Sequence, residues 1–197
     1  MRDMIKMVVV ITLLSTLSGG LLAYLQEALG PQIEQQKLVF VKGPVLEALF
    51  EGAENKPVDS RFKLTVDGEE TSFFVGVYDG QPSVVAFEAY GSGFGGNIGV
   101  MVAVDTTKDE IYGIGVTTHS ETPGLGSRAK TDPAFAAGFR HLSVLESHKV
   151  KPDGGGVDAL SGATVTSRGV VAAVNKADEI YKAHKDEIVQ QAKALAL

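Results

Sequence analysis

Cysteine is absent from this chain. That excludes disulfides, thiolate zinc or iron–sulfur ligands, a thiol nucleophile and a lipid-modified cysteine, so redox chemistry would have to reside in an organic cofactor or a non-thiolate metal. A basic surplus is also missing. The net charge is -6 at pI near 5.2, and no Lys/Arg stripe is interleaved with aromatics, so nucleic acid is not an expected partner. Histidine is scarce: His119, His141, His148 and His184 are scattered without metal-site spacing, and no metal is expected.

What is present, 44% apolar and 21% charged residues in 197, suffices for one packed domain and a short accessory segment. Residues 7 to 25, MVVVITLLSTLSGGLLAYL, hold no charge. As a helix rising about 1.5 Å per residue they just span a hydrocarbon layer of roughly 30 Å. A cleaved signal peptide is the competing reading, since Arg2 and Lys6 form a basic start, but the run is long and no A-x-A site closes it. Those two basic residues place the N-terminus in the cytoplasm and the remainder outside, with Asp3 diluting the bias. Within the span Thr12, Ser15, Thr16, Gly19, Gly20 and Ala23 share one side, and small residues permit close helix contact. A plain anchor explains them equally well. The expected division is 1–27 for the cytoplasmic N-terminus and transmembrane helix, 28–60 for a helical connector and 61–197 for the folded domain.

Val45, Leu46, Leu49 and Phe50 have helical spacing, with an interruption expected near Gly43 and Pro44. Phe62, Leu64 and Val66 then alternate with polar residues, and FFVGVY, SVVAFEAY, IGVMVAVD and EIYGIGVTTH read as strands. The turns at 79–82 and 106–109 predict antiparallel hairpins. Helix-like stretches follow at 133–139 and from about Thr166 to the C-terminus, where Val170, Val171, Val174, Ala177 and Tyr181 form a packing stripe. The expected class is α+β: one transmembrane helix, then a mainly antiparallel sheet with flanking helices.

Three segments offer backbone freedom among the strands: GSGFGGN at 91–97, HSETPGLGSR at 119–128 and DALSGATVTSRG at 158–169. Glycine permits close approach to a ligand and positive φ, though each alone reads equally as a tight turn. Neither glycine loop fits a dinucleotide fingerprint or Walker A. In the third, Ser161, Gly162, Ala163 and Thr164 run into Val165, Thr166, Ser167 and the long helix. Unpaired amides and the helix dipole attract phosphate at such an end, and simple capping by Thr166 or Ser167 is the plainer role.

Residues 158–164, DALSGAT, resemble the D-x-x-[ST]-G-A-T flavinylation motif of the FMN-binding domain family. This family includes the G subunit of the Rnf electron-transport complex and the C subunit of the sodium-translocating NADH:quinone oxidoreductase. Glu121, Thr122, Pro123, Gly124, Leu125 and Gly126 resemble its E-T-P-G-L-G segment, and the single N-terminal span is similar too. The resemblance implies that Thr164 carries covalent FMN through a phosphoester. A magnesium-dependent flavin transferase would use FAD as donor and release AMP. Asp158 would belong to the recognition motif, although a loop or cap carboxylate explains it nearly as well. The loop 122–126 would face the flavin ring or its ribityl chain, while Phe94 would either pack on that ring or plug the core.

The compact length and Arg168 resemble the Rnf G branch. That implies an electron carrier in the inner membrane with its flavin domain on the periplasmic side. It would relay electrons among iron–sulfur and flavin subunits of a complex coupling ferredoxin and NAD redox chemistry to ion transport, with no catalytic acid or base of its own. The alternative is a single-span extracytoplasmic binding or sensor protein with a noncovalent ligand. A hydrolase using Ser120 or Ser161 with His119 has no supporting triad spacing or nucleophile elbow.

Overall fold

A computed structural model describes residues 1–195, which divide into two units, Met1–Phe40 and a second that begins at Val41. The first holds helix α1 (Arg2–Lys37). Its stretch Arg2–Gly30 reaches a mean hydropathy of 2.0 over an 18-residue window and is long and apolar enough to cross a membrane. A π-helical turn, Leu38–Lys42, leads into helix α2 (Gly43–Leu49) of the second unit. Pro44 thus stands in the first turn of α2, where a missing N–H sacrifices no helical hydrogen bond.

The second unit is built on five strands, β1 (Arg61–Val66), β2 (Glu69–Tyr78), β3 (Gln81–Ser92), β4 (Asn97–Asp105) and β5 (Glu110–Thr118). They pair antiparallel in sequence order, as an up-and-down meander. Two turns are tight. Asp67 and Gly68 have φ of 52° and 86°, Asp79 and Gly80 of 50° and 69°, the paired positive values that suit the right-handed strand twist. The second turn is therefore shorter than the expected 79–82, because Gln81 already pairs with Tyr78.

Both faces of the sheet are covered, which is why β4 is apolar almost throughout and shows no alternation. One face presents Phe73, Phe87, Val85, Val102 and Val104 to a core shared with helix α5 (Thr164–Leu195). There Phe73 lies opposite Phe87 with ring centroids 4.8 Å apart and Phe62 stacks on Phe73 at 5.3 Å. Offset aromatic pairs add about 0.5–1.5 kcal/mol beyond their buried area. On the other face α2 and its end bury Leu46, Leu49 and Phe50. Gly76 and Gly115 lie directly beneath Phe50 and Val45.

Between β5 and α5 the chain makes α3 (Arg128–Thr131), α4 (Pro133–Ala137) and a 3-10 turn, Lys151–Asp153. Asp132 caps α4 through the Ala134 amide at 3.1 Å. The stripe Val170, Val171, Val174, Ala177 and Tyr181 is buried as its spacing predicts. The helix starts at Thr164, two residues ahead of expectation, because the Ser167 amide already reaches the Ala163 carbonyl at 3.0 Å.

Candidate functional site

Helix α5 comes close to β3 at one point. A Cβ on Gly91 would lie 2.0 Å from the Gly169 carbonyl oxygen, and one on Gly169 would lie 2.8 Å from that of Ser92. Two glycines facing each other let helix backbone rest on strand backbone, so the first turn of α5 lies beside the end of the sheet. The loops after β3 and β5 converge there. Glu121 joins them: it is 6% exposed, accepts from the Gly95 amide at 2.8 Å through Oε1 and accepts from the Thr166 hydroxyl through Oε2.

These three pieces enclose a cleft of about 440 Å³ lined by Phe94, Glu121, Thr122, Leu125, Gly126, Gly162, Ala163, Thr164, Val165 and Thr166, within the size range of small-ligand sites. Its rim is apolar and open to solvent, with Phe94 74%, Leu125 48% and Val165 45% exposed. Phe94 therefore does not plug the core. A separate cleft of about 370 Å³ lies between α2, β5 and α3–α4 and contains none of the motif residues singled out in the sequence.

The hydroxyls of the Ser-Gly-Ala-Thr-Val-Thr-Ser run have different surroundings. The Ser167 hydroxyl is fully buried, accepts from the Leu160 amide at 2.9 Å and donates to the Ala163 carbonyl at 3.0 Å, so it closes the turn before the helix. The buried Thr166 hydroxyl is held by Glu121. Ser161 stands exposed beside Gly162, whose φ is 78°. Thr164 is half-buried at the first position of α5, lines the cleft, and makes no side-chain hydrogen bond among the described residues. The amides of Thr164, Val165 and Thr166 precede the first intrahelical donor, the Ser167 amide, so this helix end favours negative charge.

Other expected residues stand apart from the cleft. Asp158 is exposed, with Oδ1 2.6 Å from Lys151 Nζ. Pro123 and Gly124 occupy the exposed turn of the 121–126 loop and do not line the cavity. Arg168 is clamped onto Asp153 by two bonds of 2.8 and 2.7 Å, and this contact holds the Asp153 carboxyl below its ordinary value. His119 accepts the Glu121 amide at 3.2 Å through Nδ1, and neither Ser120 nor Ser161 bonds to it. No hydrolytic pair forms among the described residues. Val165 was not expected at the rim. Its only sequence signal is an apolar side chain out of phase with the buried stripe of α5.

A flavin phosphate combines a flat apolar ring with an anionic end. The cleft offers a matching pair of environments, exposed Phe94, Leu125 and Val165 on one side and the α5 terminus with Thr164 on the other, so the residues present fit FMN.

Comparison with known proteins agrees. Residues 93–179 match the family model described as FMN-binding domain. The G subunit of the ion-translocating oxidoreductase complex of Pseudomonas aeruginosa is 30% identical over 201 aligned positions, covering 95% of this chain and 93% of that protein. Among solved structures, NqrC of Shewanella oneidensis is 28% identical, covers 72% of each chain and superposes with a TM-score of 0.52. The C subunit of the Na(+)-translocating NADH-quinone reductase of Parabacteroides distasonis is 29% identical over 60% of this chain and 63% of its own, at 0.50.

Proposed function

From the premise that this chain belongs to the family of ion-translocating oxidoreductase complex G subunits and carries an FMN-binding domain, we propose that it is a membrane-bound electron carrier with FMN esterified to Thr164. The supporting observation is one hydroxyl, at the first residue of a 32-residue helix, that lines an apolar-rimmed cleft and is not committed to any other group among the described residues.

Attachment forms a bond between the Thr164 oxygen and the FMN phosphorus of FAD, breaks the pyrophosphate, releases AMP and gives the hydroxyl proton to solvent. A separate flavin transferase supplies this reaction. The resulting phosphodiester keeps one negative charge, which the α5 dipole favours. Held there, FMN would supply one- or two-electron redox chemistry. The chain's own part is to bind and orient: the α5 terminus receives the phosphate, and Phe94, Leu125 and Val165 supply apolar surface.

The working arrangement is Rnf-type, relaying electrons among iron–sulfur and flavin subunits between ferredoxin and NAD. Residues 1–27 are the cytoplasmic start and inner-membrane span, 28–60 the connector and 61–197 the flavin domain on the periplasmic side. Denaturing gel electrophoresis tests the attachment. Wild type from cells making the transferase should fluoresce at the position of the chain, and Thr164→Ala should lose at least about 90% of that signal, since it removes the accepting oxygen. Colourless wild type of unmodified mass from such cells would refute the assignment and favour a noncovalent binding or sensor protein.

A further inference from the structure

Glu121 is buried without a cation. No Lys, Arg or His lies in ion-pair contact with its carboxylate among the described residues, although burying such a group is costly unless donors surround it. The surrounding groups are arranged to admit it. A Cβ on Gly93 would lie 2.4 Å from Oε1, and one on Gly126 would lie 2.6 Å from Oε2. A Cβ on Gly95, whose amide donates to Oε1, would strike the Ser120 carbonyl oxygen at 2.0 Å. Gly93 and Gly126, from two loops, thus leave room for the carboxylate, and Gly95 lets the backbones of those loops meet beside it. Its other oxygen engages Thr166 in the first turn of α5, where the helix dipole favours negative charge. Phe94 stands between Gly93 and Gly95, on the very loop that the carboxylate holds, and is otherwise exposed.

We propose that Glu121 is a positioning residue of the flavin cleft: by joining the Gly95 amide to the Thr166 hydroxyl it fixes the Phe94 loop relative to Thr164, and so sets how far the attached flavin is shielded from solvent. The proposal deepens the FMN reading and rests on it. Glu121 takes no part in forming the ester, so attachment and shielding separate experimentally. Glutamine is a discriminating replacement. Its oxygen can accept from Gly95 while its amide donates to the Thr166 oxygen, because a threonine hydroxyl both donates and accepts. The bracket survives in Glu121→Gln and is lost in Glu121→Ala.

The test uses full-length chain purified in detergent from cells that make the transferase. Occupancy of Thr164 is read by peptide mass mapping, and shielding by iodide quenching of the flavin fluorescence. Glu121→Ala should keep Thr164 loaded while quenching rises at least on the order of tenfold, the equilibrium weight of one of the two charge-assisted hydrogen bonds it removes. Glu121→Gln should stay within about twofold of wild type, since it retains both contacts. Thr166→Val, which removes one anchor, should fall between them. Phe94→Ala should raise quenching as Glu121→Ala does, and the double variant should add little, as expected of residues acting through one loop.

Unchanged quenching in Glu121→Ala, equal exposure in the Gln and Ala variants, or additive effects with Phe94→Ala would each overturn the proposal. Should Glu121→Ala fail to fold by circular dichroism, Thr166→Val carries the test, and wild-type quenching there has the same meaning. Wild type without flavin would instead sink the cofactor assignment itself.

Discussion

Asp178, 1% exposed on α5, has neither oxygen in a hydrogen bond among the described residues. Its nearest partner is His148, whose Nε2 is 3.4 Å away without hydrogen-bond alignment. Burial pushes its carboxyl above the ordinary value of 3.8, and His148 and Lys182 offset this only in part, with Glu179 adding to the rise. The folded state therefore holds this proton more tightly than the unfolded chain, and stability falls as pH rises from about 3.8 through the raised folded value. Asp178→Asn should raise the melting temperature at pH 7 and flatten that acid-side decline, as read by thermal scans across pH. Asp109 has the opposite sign. Hydrogen bonds from Lys185 at 2.7 Å and Tyr181 at 2.9 Å outweigh burial and hold its carboxyl below 3.8. Its contribution is present above that value and lost as pH falls through the depressed folded one. Asp109→Asn should lower the melting temperature at neutral pH, with the gap closing in acid. Thr164 was legible because a short motif surrounds it. The task of Glu121 was not: its partners Gly95 and Thr166 lie 26 and 45 residues away, and no local spacing encodes that meeting.

The contact between α5 and β3 decides whether the cleft exists. Adding a methyl at Gly91 would place carbon 2.0 Å from the Gly169 carbonyl oxygen and 2.8 Å from the Ala173 amide nitrogen. Backbone atoms cannot rotate aside, so helix and strand would have to separate. Overpacking of this kind costs about 1–3 kcal/mol. Gly91→Ala should lower the denaturant midpoint accordingly, and Gly19→Ala, with nothing within 4 Å of the added carbon, should leave the second unit's midpoint unchanged. The five strands were legible because β-branched and aromatic runs alternate with turn residues, and Asp79-Gly80 marks one of the hairpins. The π-helical turn at Leu38–Lys42 and the short helix Arg128–Thr131 were not. The helix Arg128–Thr131 is held from outside itself, with Ala129 buried and the Lys130 ammonium donating to the Thr117 carbonyl at 2.9 Å.

The absence of cysteine makes the topology of the whole chain directly testable. Glu51 lies exposed in the turn region after α2, and Asp3 is exposed in the first turn of α1. In intact cells stripped of their outer envelope, a membrane-impermeant maleimide should label Glu51→Cys fully, and Asp3→Cys only after permeabilisation. The reverse pattern would invert the proposed sidedness, which is argued from Arg2 and Lys6. Anchoring was legible in the uncharged run, whereas kinship with a membrane complex came from motifs and could not have come from composition. The meander also has two ends. On one, the loop at 141–142 pairs with Ile111 of β5, through the His141 amide at 2.9 Å and the Leu142 carbonyl at 2.8 Å. On the other, β1 is six residues long and carries Arg61 and Lys63. A covered edge and a short, cationic one both resist strand exchange with neighbouring chains, so many copies can crowd one membrane and remain separate molecules instead of fusing into a shared sheet.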